Sequence, residues 1–227
     1  GMADFKAQVL ENQFSGQLLK IDQKEVLTSL LGVFNAYNLL AIYAAASLLG
    51  LSELEVLKHI SALENVVGRF QYLVSKDQIT AIVDYAHTPD ALKNILDTIS
   101  GIRTKNEKLI TVVGCGGDRD KGKRPLMGRI AAEKSDLLIL TSDNPRSEQA
   151  AIIIEEMEAG VSVVDIKKVL VIENRKQAIK TACQLAGPKD IILIAGKGHE
   201  HYQEVNGVRS PFNDFEIVKE HLTLLEE

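Results

Sequence analysis

Three polar segments in the second half of the chain combine glycine with side chains that bind anions or amino acids. The longest runs from Gly114 to Pro125, and it carries the cations Arg119, Lys121, Lys123 and Arg124. Glycine-rich loops between a strand and a helix let backbone amides approach anions. The segment therefore predicts an anion-binding loop, and the alternative is a solvated loop without a ligand.

The same loop nearly matches the phosphate-binding P-loop pattern. Gly117 to Lys123 fits GxxxxGK, but Arg124 stands where a P-loop has the Ser or Thr that holds magnesium. We interpret the near-match as a coincidence, and a P-loop-like kinase remains only as an alternative.

The second segment, Asp143-Asn144-Pro145-Arg146, offers an amide and a guanidinium side by side. Arginine can grip a carboxylate through two parallel hydrogen bonds, so this pair suits an amino-acid ligand. The alternative is an ordinary turn with helix-capping side chains.

The third segment, Gly196 to Glu200, places a carboxylate after two glycines. Glu200 can receive an ammonium group and His199 can bridge polar atoms, whereas the alternative is a simple strand-to-helix turn. A guanidinium, an amide and a carboxylate that converge would complement a zwitterionic amino acid.

Further upstream, Asp84 and His87 lie three residues apart in Asp84-Tyr85-Ala86-His87-Thr88-Pro89. Such a pair can bind a metal, act as acid and base, or hold ribose and phosphates. The alternative is a helix start, because Thr88-Pro89 is a good N-terminal signal. Asn35 and Asn38 share one helical face, and Arg69 follows Gly68. Taken singly, the two asparagines would be interpreted as polar residues at the start of a helix, and Arg69 as a surface charge.

Strands and helices have to position these segments. After Gly68, short apolar strands such as 137–140 and 191–194 alternate with helices, which is typical of a parallel sheet covered on both faces. We predict a doubly wound α/β domain over residues 67–227, with the polar segments at the carboxyl ends of its strands. Residues 1–66 are predicted to form short strands and a pair of helices, the second capped by Ser52.

Composition narrows the functional class. The net charge of −5 argues against a nucleic-acid partner, and two distant cysteines suggest neither a zinc site nor a disulfide framework. No apolar run approaches the roughly 18 to 20 residues of a membrane span, and no signal peptide is evident. We expect a cytoplasmic protein without a membrane partner.

Together, six segments resemble the Mur ligase family in order and spacing from about Phe34 to Phe212. They are Gly32 to Asn38, Gly68 to Phe70, Asp84 to Pro89, Gly114 to Pro125, Asp143 to Arg146, and Gly196 to Glu200. The resemblance implies a UDP-sugar domain, a central P-loop ATPase domain and a Rossmann-like C-terminal domain. Residues 1–66 would then be the C-terminal remnant of the central domain, and residues 67–227 the third domain.

The resemblance is strongest to members that add meso-diaminopimelate to UDP-N-acetylmuramoyl-L-alanyl-D-glutamate through an acyl phosphate, with ATP and Mg²⁺. It implies an amino-acid site in which Arg146 grips the distal carboxylate that lysine lacks. The implied diaminopimelate contacts are Arg119, Asp143, Asn144, Pro145, Arg146, Gly196 and Glu200. The implied ATP contacts are Asn35, Asn38, Arg69, Asp84 and His87.

Two departures from the family limit these expectations. No GTxGKT-like P-loop occurs in the sequence, so we expect the chain to be a piece of a longer monomeric ligase and to be inactive alone. Phe215 stands where the family pattern has arginine, which leaves a ligand role for that segment in doubt. The alternatives are a non-catalytic amino-acid-binding module and an L-lysine-adding ligase of the same family.

Overall fold

The computed structural model describes residues 3–104 and 106–224, which form two compact units. One comprises the described residues up to Asn65 together with Thr98–Arg103, and the other comprises Val66–Asp97 and the described residues from Thr104 onward. Within the described part of the chain, no helix has both the length and the apolar character needed to cross a membrane.

The first unit contains a three-stranded antiparallel sheet and two helices. Its strands β1, β2 and β3 lie in the order β1-β2-β3, and α1 and α2 follow them. Leu19 and Ile21 of β2 pack with Leu39 and Tyr43 of α1 in one buried cluster. Ser52 accepts a hydrogen bond from the Glu55 amide, which confirms the predicted cap of α2. The bounds are β1 Ala7–Gln13, β2 Gly16–Ile21, β3 Lys24–Thr28, α1 Val33–Leu48 and α2 Glu53–Ser61.

The second unit is built on a six-stranded sheet in the order β4-β5-β9-β6-β7-β8. Strand β4 is antiparallel to β5, and the other neighbours are parallel. The parallel sheet confirms the predicted α/β class, but the sequence analysis missed β4 at its edge. The bounds are β4 Gln71–Val74, β5 Thr80–Asp84, β6 Leu109–Val113, β7 Leu137–Leu140, β8 Val169–Val171 and β9 Ile191–Ala195.

Helices cover both faces of this sheet. Alternate strand residues such as Ile110 and Ile194 pack with Ala178 of α6 and Val218 of α7 in one buried cluster. Thr111 points to the opposite face, since neighbouring strand residues alternate, and its hydroxyl accepts from Ser135 just after α4. The bounds are α3 Pro89–Ile102, α4 Lys123–Lys134, α5 Ala150–Glu158, α6 Arg175–Leu185 and α7 Asp214–Leu224.

Two local features differ from the sequence predictions. Helix α4 begins at Lys123, so the end of the segment Gly114 to Pro125, which was predicted to be a loop, is helical. A hairpin of β10 (Tyr202–Val205) and β11 (Val208–Pro211) follows β9 and was not predicted. Its turn residues Asn206 and Gly207 both have positive φ, as a two-residue hairpin turn requires.

The polar segments gather along one edge of the sheet. Asp84 at the end of β5 pairs with Ala195 at the end of β9, and Ala195 also pairs with Val113 of β6. Val113 pairs in turn with Leu140 of β7. Because these strands are parallel and end in register, the loops that follow them lie at the same carboxyl edge, as predicted.

Candidate functional site

Two of the predicted binding loops are joined backbone to backbone. Gly117 donates its amide to the Asn144 carbonyl at 2.9 Å. A Cβ on Gly117 would lie 1.9 Å from the Pro145 carbonyl oxygen, so no other residue fits without moving the loops apart. The loop after β6 and the loop after β7 therefore act as one platform.

Arg119 and Arg146 both lie on this platform, close to Gly116. A Cβ on Gly116 would lie 3.0 Å from Arg146 Nη1 and 3.9 Å from Arg119 Cγ. Arg119 is exposed and Arg146 is half-buried. Since one Arg146 nitrogen already donates to the Gly117 carbonyl at 2.8 Å, the guanidinium is held in place with further hydrogens to offer.

The backbone of Arg146 is in a left-handed conformation, with φ of 53°. Such a conformation costs free energy in a residue with a Cβ and persists only where neighbours enforce it. Here the hairpin supplies the restraint, since Arg146 donates to the Glu204 carbonyl at 3.1 Å and accepts from the Asn206 amide at 2.7 Å. The unpredicted hairpin therefore orients a predicted ligand-binding arginine.

Acidic side chains outside the predicted site stabilise the platform through hydrogen bonds. Glu148 accepts from the Asp118 amide at 2.7 Å and from Arg124 through both carboxylate oxygens. The Arg124 guanidinium holds the pKa of Glu148 down at about 2. Asp118 accepts in turn from the hydroxyl and the amide of Ser147. Charge pairs thus fix the loop that carries Arg119.

Arg124 does not belong to the anion-binding loop that the sequence predicted. Its side chain is 0% exposed and pairs with Glu148 and Glu156, because α4 starts early and turns this residue inward. Several loop amides are also engaged: those of Gly117, Asp118 and Gly122 each donate to protein oxygens. Because these three amides already have protein acceptors, they are not available to bind a phosphate.

Asn144 and Glu200 meet at the same edge. Asn144 is 2% exposed and donates from Nδ2 to Glu200 Oε2 at 2.8 Å. Gly196 has φ of 117°, and a Cβ there would lie 2.7 Å from Asp143 Oδ2. The structure therefore brings Asp143, Asn144 and Glu200 together, with Gly196 giving room for the Asp143 carboxylate.

Buried charges lie beneath this group. Lys197 is 0% exposed, and its Nζ lies 3.3 Å from Asp143 Oδ1. Arg175 and Asp214, both 0% exposed, form a two-point ion pair, and Arg175 also donates to the Ala195 carbonyl. Carboxylates favour the cationic form of Arg175, and its pKa is raised although burial opposes this. Sequence reasoning missed these residues because their partners are distant along the chain.

Three of the residues that the resemblance assigns to ATP lie in the second unit near the end of β5. Asp84 accepts from the amides of Phe70 and Ala86, each at 2.8 Å, and burial raises the pKa of its carboxyl. Arg69 stacks on the Tyr85 ring at 4.7 Å, and the His87 ring lies 4.5 Å from the same ring. Arg69 and His87 therefore both lie against the Tyr85 ring, and Asp84 holds the backbone on each side of β5 through its hydrogen bonds.

The two remaining ATP-assigned residues lie in the first unit, on α1. Asn38 donates to Asn35 Oδ1 at 3.3 Å, and Asn35 donates to the Leu31 carbonyl at 2.8 Å. The pair shares one helical face, as its spacing predicted. The hydrogen bond between the two side chains holds both amides in place at the start of α1.

The structure also bears on metals, cysteines and Phe215. Among residues 3–104 and 106–224, no group of three or more His, Cys, Asp or Glu side chains has the arrangement of a metal site. Cys115 and Cys183 are buried free thiols, and burial raises the pKa of each to about 12. Phe215, in the first turn of α7, packs against the apolar core of the second unit, which gives it a structural role.

Comparisons with known proteins agree with the fold and the motifs. The family described as Mur ligase, glutamate ligase domain, matches residues 68–198. A UDP-N-acetylmuramoyl-L-alanyl-D-glutamate--2,6-diaminopimelate ligase of Cytophaga hutchinsonii is 54% identical over 224 residues, which is 99% of this chain and 46% of that protein. The ligase of the same name from Aquifex aeolicus is 46% identical over 219 residues, or 96% of this chain and 43% of that protein.

Solved structures show the same fold. The structure of a ligase with that name superposes with a TM-score of 0.71 at 37% identity and covers 99% of this chain and 46% of its own. Folylpolyglutamate synthase of Thermotoga maritima, at 20% identity, covers 97% of this chain and 47% of its own with a TM-score of 0.64, and it shows the fold alone. The chain spans about half the length of the curated relatives it matches. From its matched domain, its fold and its loop motifs, the chain belongs to the Mur ligase family.

Proposed function

We propose that this chain is the part of an ATP-dependent ligase that binds meso-diaminopimelate and presents it to UDP-N-acetylmuramoyl-L-alanyl-D-glutamate. The observation that carries the proposal is the single carboxyl edge where Asn144 contacts Glu200 and where the Arg146 and Arg119 side chains both lie close to Gly116. The names of the relatives support the same substrates.

The proposed site distinguishes the two ends of a zwitterionic group. The guanidiniums of Arg119 and Arg146 suit a carboxylate, and Arg146 is already oriented by Gly117. Glu200 suits an ammonium group, since its carboxylate is an acceptor of charge-assisted hydrogen bonds. Diaminopimelate has both groups at its distal end, whereas lysine lacks the carboxylate that the arginines would bind.

The reaction that we propose for the whole enzyme joins the free amine of diaminopimelate to the D-glutamate side-chain carboxylate. ATP with Mg²⁺ would activate that carboxylate as an acyl phosphate, which the amine attacks. The role of this chain is to hold the amine in an orientation that favours attack, and positioning of this kind contributes strongly to rate.

For the nucleotide, we propose contacts from each unit taken separately. Arg69, stacked on Tyr85, offers a cation to phosphates, and His87 lies beside the same ring. Asp84 can still accept a ribose hydroxyl, because each oxygen has a second lone pair beyond its backbone contact. Asn35 and Asn38 are proposed as the amide contacts of the first unit, which we assign to the ATP-binding domain. A cytoplasmic location and a monomeric state are part of the same proposal.

Isothermal titration of the chain with meso-diaminopimelate and with L-lysine tests the amino-acid site. We expect binding of meso-diaminopimelate that Arg146→Ala weakens about tenfold or more, since a charged hydrogen bond contributes ~1.5–3 kcal/mol. Arg129→Ala, which removes an exposed arginine on α4, is the matched control and should leave binding unchanged. Tighter binding of L-lysine would instead favour a lysine-adding ligase, and equal affinities or no binding to either would reject the proposal.

A further inference from the structure

Lys197 is a fully buried lysine beside the proposed diaminopimelate site, and neither the family motif nor the proposed function gives it a task. Its Nζ donates to Asn144 Oδ1 at 2.7 Å and to the Tyr202 carbonyl at 2.9 Å. It also lies 3.3 Å from Asp143 Oδ1. A completely buried lysine is rare and is normally paired, as Lys197 is here. The question is what these contacts do for the site.

The hydrogen bonds around Asn144 fix which end of its amide faces which neighbour. Oδ1 accepts from Lys197 Nζ and, at 3.0 Å, from the Glu204 amide. Nδ2 donates to Glu200 Oε2 at 2.8 Å. An ammonium and a backbone amide can only donate, and an ionised carboxylate can only accept. Reversing the amide would set hydrogens against two donors and an oxygen against a carboxylate.

Charged groups on several elements face Lys197. They are Asp143 after β7, Glu200 in the loop after β9 that also carries Lys197, Arg175 on α6 and Asp214 on α7. Burial lowers the pKa of Lys197, whereas Asp143 acts in the opposite direction and favours the ammonium form. Lys197 Nζ, which donates to Asn144, therefore lies next to a carboxylate that favours its ammonium form.

We propose that Lys197 is a positioning residue for the amino-acid site: it fixes the amide orientation of Asn144. This inference rests on the proposed function. With Lys197 in place, Nδ2 of Asn144 faces the Glu200 side, where its second hydrogen can be donated to the carboxylate of diaminopimelate. Without Lys197, Oδ1 loses one of its two donors, and rotation of the amide would turn an acceptor toward that carboxylate.

A double-mutant cycle separates this role from a general effect on folding. Lys197→Met keeps an unbranched side chain of similar length but removes the hydrogen-bond donor. It should weaken binding of meso-diaminopimelate about tenfold or more. In the Asn144→Ala background the same change should cost less than about twofold, because the residue through which Lys197 acts is gone. Equal losses in both backgrounds, or no loss in the first, would overturn the inference. Lys197→Gln retains a donor and should lose less than Lys197→Met.

A second measurement needs neither a variant nor a ligand, so it also covers the case in which Lys197→Met does not fold. In the unmodified chain, the Asn144 side-chain NH₂ protons should show nuclear Overhauser effects to the Glu200 side chain. A strong effect to the Glu204 amide proton instead would mean the reversed amide and would overturn the inference. If the chain does not bind meso-diaminopimelate but shows the expected orientation, the proposed function fails and the orientation of Asn144 by its buried partners stands.

Discussion

Arg146 donates from Nη1 to the carbonyl oxygen of Gly117 at 2.8 Å and so ties the loop after β7 to the loop after β6. Gly117 completes the link by donating its amide to the Asn144 carbonyl at 2.9 Å. The arginine that is proposed to read the substrate carboxylate is therefore oriented by the glycine-rich loop. This preorganisation lowers the entropy lost when a ligand binds.

Substitution of Gly117 should damage this link. In Gly117→Ala the added methyl group would lie 1.9 Å from the Pro145 carbonyl oxygen, so the two loops have to separate. We expect a stability loss of ~1–3 kcal/mol from overpacking and weaker binding of meso-diaminopimelate in calorimetry. Gly122→Ala is the control, because its nearest contact is the Asp120 side chain at 3.2 Å. Unchanged binding in Gly117→Ala would show that the link is dispensable.

The buried ion pair of Arg175 and Asp214 should be costly to break from one side. Both side chains are 0% exposed, so Asp214→Asn leaves a buried guanidinium without its counter-charge. We expect a loss of ~3–5 kcal/mol in the free energy of unfolding, measured with urea. Glu53→Gln, which removes one partner of the exposed Lys24 pair, should change it very little, because solvent screens exposed pairs. Similar losses in both variants would contradict this expectation.

Acid should weaken the platform through Glu148. Its pKa is lowered from 4.5 to about 2, with the Arg124 hydrogen bond as the largest cause. Above pH 4.5 the carboxylate is ionised in both the folded and the unfolded chain, and its stabilising effect is complete. As the pH falls from there toward 2, the unfolded chain takes up the proton first and stability is lost.

Urea unfolding at several pH values across that window tests the Glu148 effect. We expect the midpoint to fall on acidification, and to fall less steeply in Glu148→Gln, which cannot titrate. Glu155→Gln changes an exposed glutamate of α5 and serves as the matched control. A pH dependence that is identical in wild type and Glu148→Gln would refute this assignment.

The chain alone should not hydrolyse ATP through its near-match to a P-loop. The amides of Gly117 and Gly122 are already donated to protein oxygens, and Lys123 donates to the His87 carbonyl at 2.8 Å. We expect phosphate release with ATP and Mg²⁺ to stay at the level of a protein-free control. Turnover that Lys123→Ala abolishes would support the kinase alternative instead.

Much of the second unit could be predicted from the sequence because its strands are short, apolar and fully buried. Residues 137–140 were predicted as a strand with the bounds that the structure shows for β7, and the predicted strand 191–194 lies within β9. The edge strand β4 is only partly buried, so it lacked that apolar signal. The hairpin of β10 and β11 is polar and largely exposed, and its only local sign was Asn206-Gly207.

The site could be predicted only as far as residue type and strand position allow. Loops after neighbouring parallel strands meet at one edge, so the grouping of Asn144, Arg146 and Glu200 followed from topology. Lys197 and Arg124 could not be placed in the same way, since their orientation depends on tertiary packing. Arg124 was assigned to the anion loop and is wrong there, because helix α4 begins early and turns its guanidinium toward Glu148.

The most direct test of the central claim is an NMR titration of the chain with meso-diaminopimelate and, separately, with L-lysine. We predict backbone shifts near Arg119, Asn144 and Glu200 with meso-diaminopimelate and not with L-lysine, and their loss in Arg146→Ala. Shifts of equal size with both amino acids, or shifts that persist in Arg146→Ala, would contradict the proposed amino-acid site.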